Sequence, residues 1–228
     1  MTLFLIRSLI FTAVPLLVAS GHLLLDKQTN SRERKIEIYL IYLFALGVAG
    51  SGIGGFISHF FLSDAIAESI GWATGSPFQL EIAFANLAIG VLGFVAVGRR
   101  DGFREATVIA VTIFSGGATV VHLMDLVETG NLAPGNTLQN FNNLVRPALL
   151  IVFLVASRRA ERLPGSEART VAFARWQAWR GQAAGWLTAI VATGFGVGYA
   201  VDLLVPLTLV GIAAGCIMVA FIMARGPD

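Results

Sequence analysis

Positive charge alternates along this chain at the spacing of membrane crossings. The apolar stretches run over residues 3–25, 38–62, 79–98, 105–127, 141–157, 183–201 and 203–224. A spanning helix needs about 20 mostly apolar residues. The first connection carries Lys27, Arg32, Arg34 and Lys35, and the second (63–78) carries no Lys or Arg. The third carries Arg99, Arg100 and Arg104, and the fourth (128–140) again none. The fifth carries Arg158, Arg159, Arg162, Arg169, Arg175 and Arg180, the sixth none, and the tail Arg225. Only Arg7 and Arg146 fall inside apolar stretches, which completes the 16 basic residues. Lys and Arg remain on the cytoplasmic side of a membrane. The alternation therefore predicts an all-α polytopic bundle of seven transmembrane helices in the cytoplasmic (inner) membrane, N-terminus outside and C-terminus cytoplasmic.

Composition agrees. Hydrophobic residues make up 56% and charged residues 13%, with a mean hydropathy of +0.75. A soluble domain carries about 25% charged residues. A soluble enzyme, a disordered tail and a coiled coil are excluded, and the lone Cys216 cannot staple a disulfide scaffold. The basic residues sit in alternate loops, so the pI near 9.0 gives no support for a nucleic-acid partner. Val18-Ala19-Ser20 loosely fits a signal-peptide cleavage site. Cleavage would export the four positive charges that follow, so the first stretch is expected to remain as a helix.

Four regions follow: 1–36, the first helix and a basic loop; 37–160, a four-helix membrane unit; 161–182, a basic linker with Trp176 and Trp179; and 183–228, a C-terminal hairpin. Tryptophan beside arginine in the linker is what an interfacial helix presents to headgroups. The four-helix unit contains an internal repeat. Aligned without gaps, the segment from Ser76 to Leu87 matches that from Ala133 to Leu144 at Pro77/Pro134, Phe84/Phe141, Asn86/Asn143 and Leu87/Leu144. Each follows a helix with a Gly-Gly pair and a histidine, Gly54-Gly55 before His59 and Gly116-Gly117 before His122, and each leads to an Arg-Arg pair. This predicts a duplicated hairpin, spans two–three and four–five, about an axis along the membrane normal. Gly50, Gly54 and Ser58, with the adjacent stripe Gly47, Ser51, Gly55 and His59, predict a closely packed second span.

Depth places the intramembrane polar residues at the outer end. The candidate site comprises His59, Glu81, Asn86, His122, Asp125, Asn143 and Arg146, with Asp125 or Glu128 as the expected partner of Arg146. His22 falls at the opposite face. Three readings stand. The polar groups form a structural or accessory cap, which serves stability, a membrane-protein partner or a homo-oligomer. They form a small-molecule, ion or lipid-headgroup site of a transporter or sensor, gripped by Arg146 and the asparagines. Or they form a metal site, with His59, His122 and Asp125 as ligands to zinc, iron or copper; a haem held by the two histidines ranks below that. A retinal Schiff base needs a lysine within a helix, and the only lysines are Lys27 and Lys35 in the first loop. No Walker sequence, Gly-x-Ser-x-Gly or Cys-x-x-Cys is present, so no activity is assigned.

The runs Ser58-His59-Phe60-Phe61, Ile70-Gly71-Trp72, Ser76-Pro77-Phe78-Gln79 with Glu81, Ala85-Asn86-Leu87, and Asn131-Leu132-Ala133-Pro134-Gly135-Asn136 give the chain a family likeness. Over about residues 40–157 it resembles a family of uncharacterised bacterial integral membrane proteins, a domain of unknown function. The resemblance implies a four-helix membrane unit and no known activity. It leaves span one and the final hairpin outside. Asn143 and Arg146 stand where an acidic residue is expected, a departure that bears on any site carried over from the family.

Overall fold

A computed structural model describes residues 2–25 and 31–161 of the chain, with side chains from Phe11 onward. Every regular element among the described residues is helical. Helix α1 (Thr2–Leu25) carries Pro15 within it. Helix α2 (Arg32–Tyr42) starts at Ser31, whose hydroxyl accepts the Arg34 amide at 3.2 Å and caps the first turn. It runs through a π-helical segment (Leu43–Gly50) into α3 (Ser51–Phe61). The short α4 (Ser63–Ile70) ends at Gly71, whose φ of 82° suits glycine. Helix α5 (Phe78–Gly98) follows, then α6 (Gly102–Thr129), capped by Asp101 and closed by Gly130 in the left-handed region. A single turn, α7 (Pro134–Thr137), leads into α8 (Gln139–Glu161).

Four helical stretches are long and apolar enough to cross a membrane: Arg32–Phe61, Phe78–Gly98, Gly102–Thr129 and Pro134–Glu161. They correspond to the second to fifth stretches of the sequence. The fifth, expected over 141–157, is longer because α7 extends it. Helix α1 answers to the first stretch. The sixth and seventh stretches and the tryptophan-bearing linker lie outside the described residues.

Two contacts organise the bundle. The first is the approach of α3 to α5. A Cβ on Gly52 would fall on the backbone of Gly90, and would lie 2.7 Å from the Asn86 carbonyl oxygen. A Cβ on Gly93 would lie 2.6 Å from a methyl of Val48 and 2.7 Å from the Ala49 nitrogen. Only glycine lets the two backbones meet here. Of the two expected stripes, Gly50 and Gly54 from one and Gly47 from the other face α1 at Phe11, and Gly55 faces Asn86 of α5. Gly52, which belongs to neither predicted stripe, makes the tighter contact.

The second contact joins the middle of α2 to the first turn of α6. Glu37 and Arg104 are fully buried. Arg104 donates from both terminal nitrogens to the two Glu37 oxygens, at 2.9 and 2.7 Å. Its Nε donates to the Ala96 carbonyl at 3.0 Å, and its guanidinium lies 5.6 Å from the Phe44 ring centroid. Arg100 adds a second cation 3.5 Å from Glu37. Arg104, counted as a loop charge in the sequence, therefore lies in the first turn of α6 as the centre of a buried, fork-shaped ion pair. Arg158 on α8 ties down the same end, donating to Glu105 and Glu161, each at 2.9 Å, and to the Arg100 carbonyl at 2.7 Å. In the turn between α5 and α6, the Arg99 guanidinium holds the Asp101 carboxyl below the usual carboxylate range. Between these contacts lies the apolar core, centred on Leu40, Leu43, Phe44, Val48, Val111 and Leu150.

Two predictions follow from these contacts. Gly52→Ala should cost about 1–3 kcal/mol through overpacking against Gly90, whereas Gly116→Ala, where an added Cβ meets nothing within 4 Å, should not destabilise; unfolding in mixed micelles measures both. Arg104→Met should cost about 3–5 kcal/mol, because it leaves Glu37 buried without its main partner. The double variant Glu37→Leu/Arg104→Met should recover much of that loss. An unrecovered loss would show that the hydrogen bonds to Ala96 and Val97 matter more than the ion pair.

Candidate functional site

At the end of the bundle remote from Glu37, two histidines are held in the same way. His59, near the end of α3, has Nδ1 2.7 Å from Oε1 of Gln79 in the first turn of α5. His122, on α6, has Nδ1 2.8 Å from Oδ1 of Asn136 on α7. A ring nitrogen tied to an amide oxygen is a donor, which fixes the tautomer and leaves Nε2 as the second ring position. Gln79, Asn136 and His122 are buried. His122 is also covered by Trp72, whose ring stacks on it with centroids 5.3 Å apart and planes 22° apart.

Trp72 is latched in turn. Its indole Nε1 donates to Asp125 Oδ2 at 3.0 Å. Asn131 donates from Nδ2 to the same oxygen at 2.6 Å and to the Ile70 carbonyl at 2.8 Å. The Thr129 hydroxyl lies 3.2 Å from the other carboxylate oxygen. Asn131 thus clamps the end of α4 to the end of α6, close over Gly71, where a Cβ would lie 2.6 Å from Asn131 Oδ1. The Asp125 carboxylate is occupied by this latch rather than directed to the histidines. Among the described residues, no group of three or more His, Cys, Asp or Glu is placed to hold a metal ion.

Below the latch, between α3, α5, α6 and α8, lies a cavity of about 390 Å³. His59, Asn86, His122, Asn143 and Arg146 all border it, as do Gln79 and Ser51. Five of the seven residues expected at the site therefore converge. The other two do not: Asp125 belongs to the latch, and Glu81 is exposed and does not line the cavity. Much of the remaining wall is apolar, including Ile82, Ile113, Phe114 and Val121.

Arg146 was expected at the outer end, paired with Asp125 or Glu128, and the structure gives it other partners. Because α7 precedes α8, Arg146 lies near the midpoint of the stretch Pro134–Glu161. It meets the midpoint of the Arg32–Phe61 stretch, where its Nη1 donates to the Gly47 carbonyl at 3.1 Å and to the Ser51 hydroxyl. The π-helical segment serves this contact: the Ser51 amide bonds to the Val48 carbonyl rather than to Gly47. π-Segments often occur at functional sites. Asn86 donates to the Ile82 carbonyl at 2.8 Å, with its Oδ1 pressed against Gly55. Asn143, one turn before Arg146, is buried, and its Nδ2 has no hydrogen-bond partner.

Gln79, Asn136, Trp72 and Asn131 were absent from the predicted site. The sequence carried a signal for two of them: the ungapped alignment of the two segments sets Gln79 opposite Asn136, a non-identical pair with the same side-chain amide. Asn131 was marked in sequence only by its place in a turn and in a run that carries the family likeness.

The profile of a family of unknown function (DUF6790) matches residues 6–163, and the chain belongs to that family. The match begins in α1, so the first helix is part of the family unit, which the likeness over about 40–157 had left outside. No curated protein and no solved structure matches the chain.

The latch predicts that Asp125→Ala lowers the melting temperature, because the Trp72 indole and the Asn131 amide lose their shared acceptor. Asp125→Asn, which keeps one oxygen, should lower it less. Thermal unfolding of the two variants with and without a chelator provides the check, and the difference between them should not depend on the chelator.

Proposed function

Working from a family whose activity is unknown, we propose that the protein is a multi-pass inner-membrane protein that binds a small molecule in the cavity bordered by His59, Asn86, His122, Asn143 and Arg146. The reading that the polar end is only a structural cap accounts for the latch of Trp72, Asp125 and Asn131. It does not account for a cavity beneath that latch where five polar side chains converge. Ligand sites have this form: a largely apolar concavity of about 300–1,000 Å³ with a few placed polar groups. That convergence carries the proposal.

The membrane setting is supported by four long apolar helices and by the alternation of basic loops. In this reading the N-terminus is outside, the latch lies at the outer face, and lipid covers the exposed apolar positions of α6 such as Ile109, Ile113, Val120 and Val127. The hairpin duplication is supported by the matched pairs His59–Gln79 and His122–Asn136, whose amide members align in the repeat. The cavity then lies between the two hairpins. The latch closes it from outside, and no catalytic group is assigned.

Gly117 provides the test. It borders the cavity, and an added Cβ there meets nothing within 4 Å, so Gly117→Phe should fill the space without displacing backbone. The protein in nanodiscs would be extracted with organic solvent and the extract analysed by mass spectrometry. A near-stoichiometric small molecule is expected with the wild type and a large loss with Gly117→Phe at an unchanged melting temperature. An empty wild-type extract, together with a more stable variant, would make the cavity a packing defect and leave only the structural cap.

A further inference from the structure

We infer that the cavity takes an uncharged, lipid-soluble alcohol or phenol, with its hydroxyl between Asn143 and His122 and its apolar body along Ile82, Ile113 and Phe114. The inference rests on the binding reading above and names its ligand class.

Hydrogen bonding comes first. Asn143 lines the cavity, is more than nine-tenths buried, and has an Nδ2 without an acceptor. Buried donors are normally satisfied, so this one calls for a ligand oxygen. His122 lines the same cavity from α6. Asn136 donates from Nδ2 to the Asn131 carbonyl at 2.9 Å, which turns its Oδ1 toward His122. The proton of the uncharged ring therefore sits on Nδ1, and the remaining ring position, Nε2, is an acceptor. The wall thus offers one donor from α8 and one acceptor from α6.

A ligand has to supply the converse pair. A hydroxyl does so with a single oxygen, because it donates once and accepts twice. An ether, a ketone, an ester and a carboxylate only accept, and a quaternary ammonium does neither. The described lining also holds no Asp or Glu to balance a cation. The walls set the rest of the molecule. Further hydroxyls, as on a sugar, would face Ile82, Ile113 and Phe114 without partners, whereas an alkyl or aryl body matches them. Access points the same way. Ile113, Gly117 and Val121 border the cavity and are exposed on α6. In the membrane reading that face meets lipid, so a molecule dissolved in the bilayer reaches the cavity without crossing water.

The experiment uses the full chain in phosphatidylcholine nanodiscs, with tritiated dodecanol read by scintillation proximity and Gly117→Phe nanodiscs as the bilayer background. Unlabelled dodecanol, dodecyl methyl ether, laurate and dodecyltrimethylammonium compete. Dodecanol should compete at about three- to tenfold lower concentration than the ether, the size of one hydrogen bond, and ahead of both charged chains. Asn143→Leu should weaken dodecanol and the ether alike by about threefold or more, because both offer an oxygen. His122→Phe, which keeps a ring beside Trp72, should weaken dodecanol alone, down to the level of the ether. Equal competition by the ether in the wild type overturns the inference, because no O–H is then being read. Stronger competition by laurate or dodecyltrimethylammonium overturns it in favour of a charged ligand. Unaltered dodecanol binding in Asn143→Leu also overturns it. Should either variant fail to fold, the competition series on the wild type still decides. If dodecanol does not bind but the wild type retains a molecule lost in Gly117→Phe, this inference fails alone; an empty extract as well removes the binding reading with it.

Discussion

The backbones of α3 and α5 touch at Gly52 and Gly90, and much of the rest of the molecule is arranged around that touch. Two helices at this separation cannot accommodate side chains between them, so neighbouring positions are set by backbone rather than by rotamer. The contact presses Asn86 against Gly55 and places Gly93 beside Val48 at the end of the π-helical segment. It also carries Gln79, at the start of α5, to His59, near the end of α3. A single pair of glycines thereby sets one wall of the cavity.

Polar groups at the two ends hold that frame in register by different means. At the Glu37 end, Arg104 makes a buried two-point ion pair whose spare donors reach the Ala96 and Val97 carbonyls. A buried charge pair gains little over apolar packing, yet it strongly penalises any displaced register. At the His122 end the latch of Trp72, Asp125 and Asn131 joins the short α4 to the end of α6 through hydrogen bonds. Between the ends, Arg146 reaches the Gly47 carbonyl where the helix departs from α geometry. A guanidinium among apolar helices is expensive unless its environment is built for it, and this one lies on the wall of the cavity.

The connections also shape the cavity. Its walls come from α3, α5, α6 and α8, with one amide-held histidine on α3 and one on α6. The two connections differ: α4 and the Gly71–Trp72 turn join α3 to α5, and the single turn of α7 joins α6 to α8. Trp72 from the longer connection covers His122 on α6.

The sequence by itself determined the helices, because hydropathy and capping act over a few residues. The second to fifth apolar stretches became the four long helices, and Ser31, Asp101, Gly71 and Gly130 bound their elements as local chemistry requires. The sequence also named five of the polar residues that meet at the cavity. Only the tertiary structure decided which groups pair. Arg146 bonds Gly47 across 99 positions of chain, Arg104 bonds Glu37 across 67, and Trp72 bonds Asp125 across 53. Arg146 meets Gly47 rather than Asp125 or Glu128, because α7 lengthens the stretch and sets Arg146 near its midpoint. Asp125 left the expected site because an indole and an amide, neither of them charged, compete for its oxygens. Helix formation depends on neighbours in sequence, whereas a site depends on neighbours in space, and those were set by the close approach of two glycines.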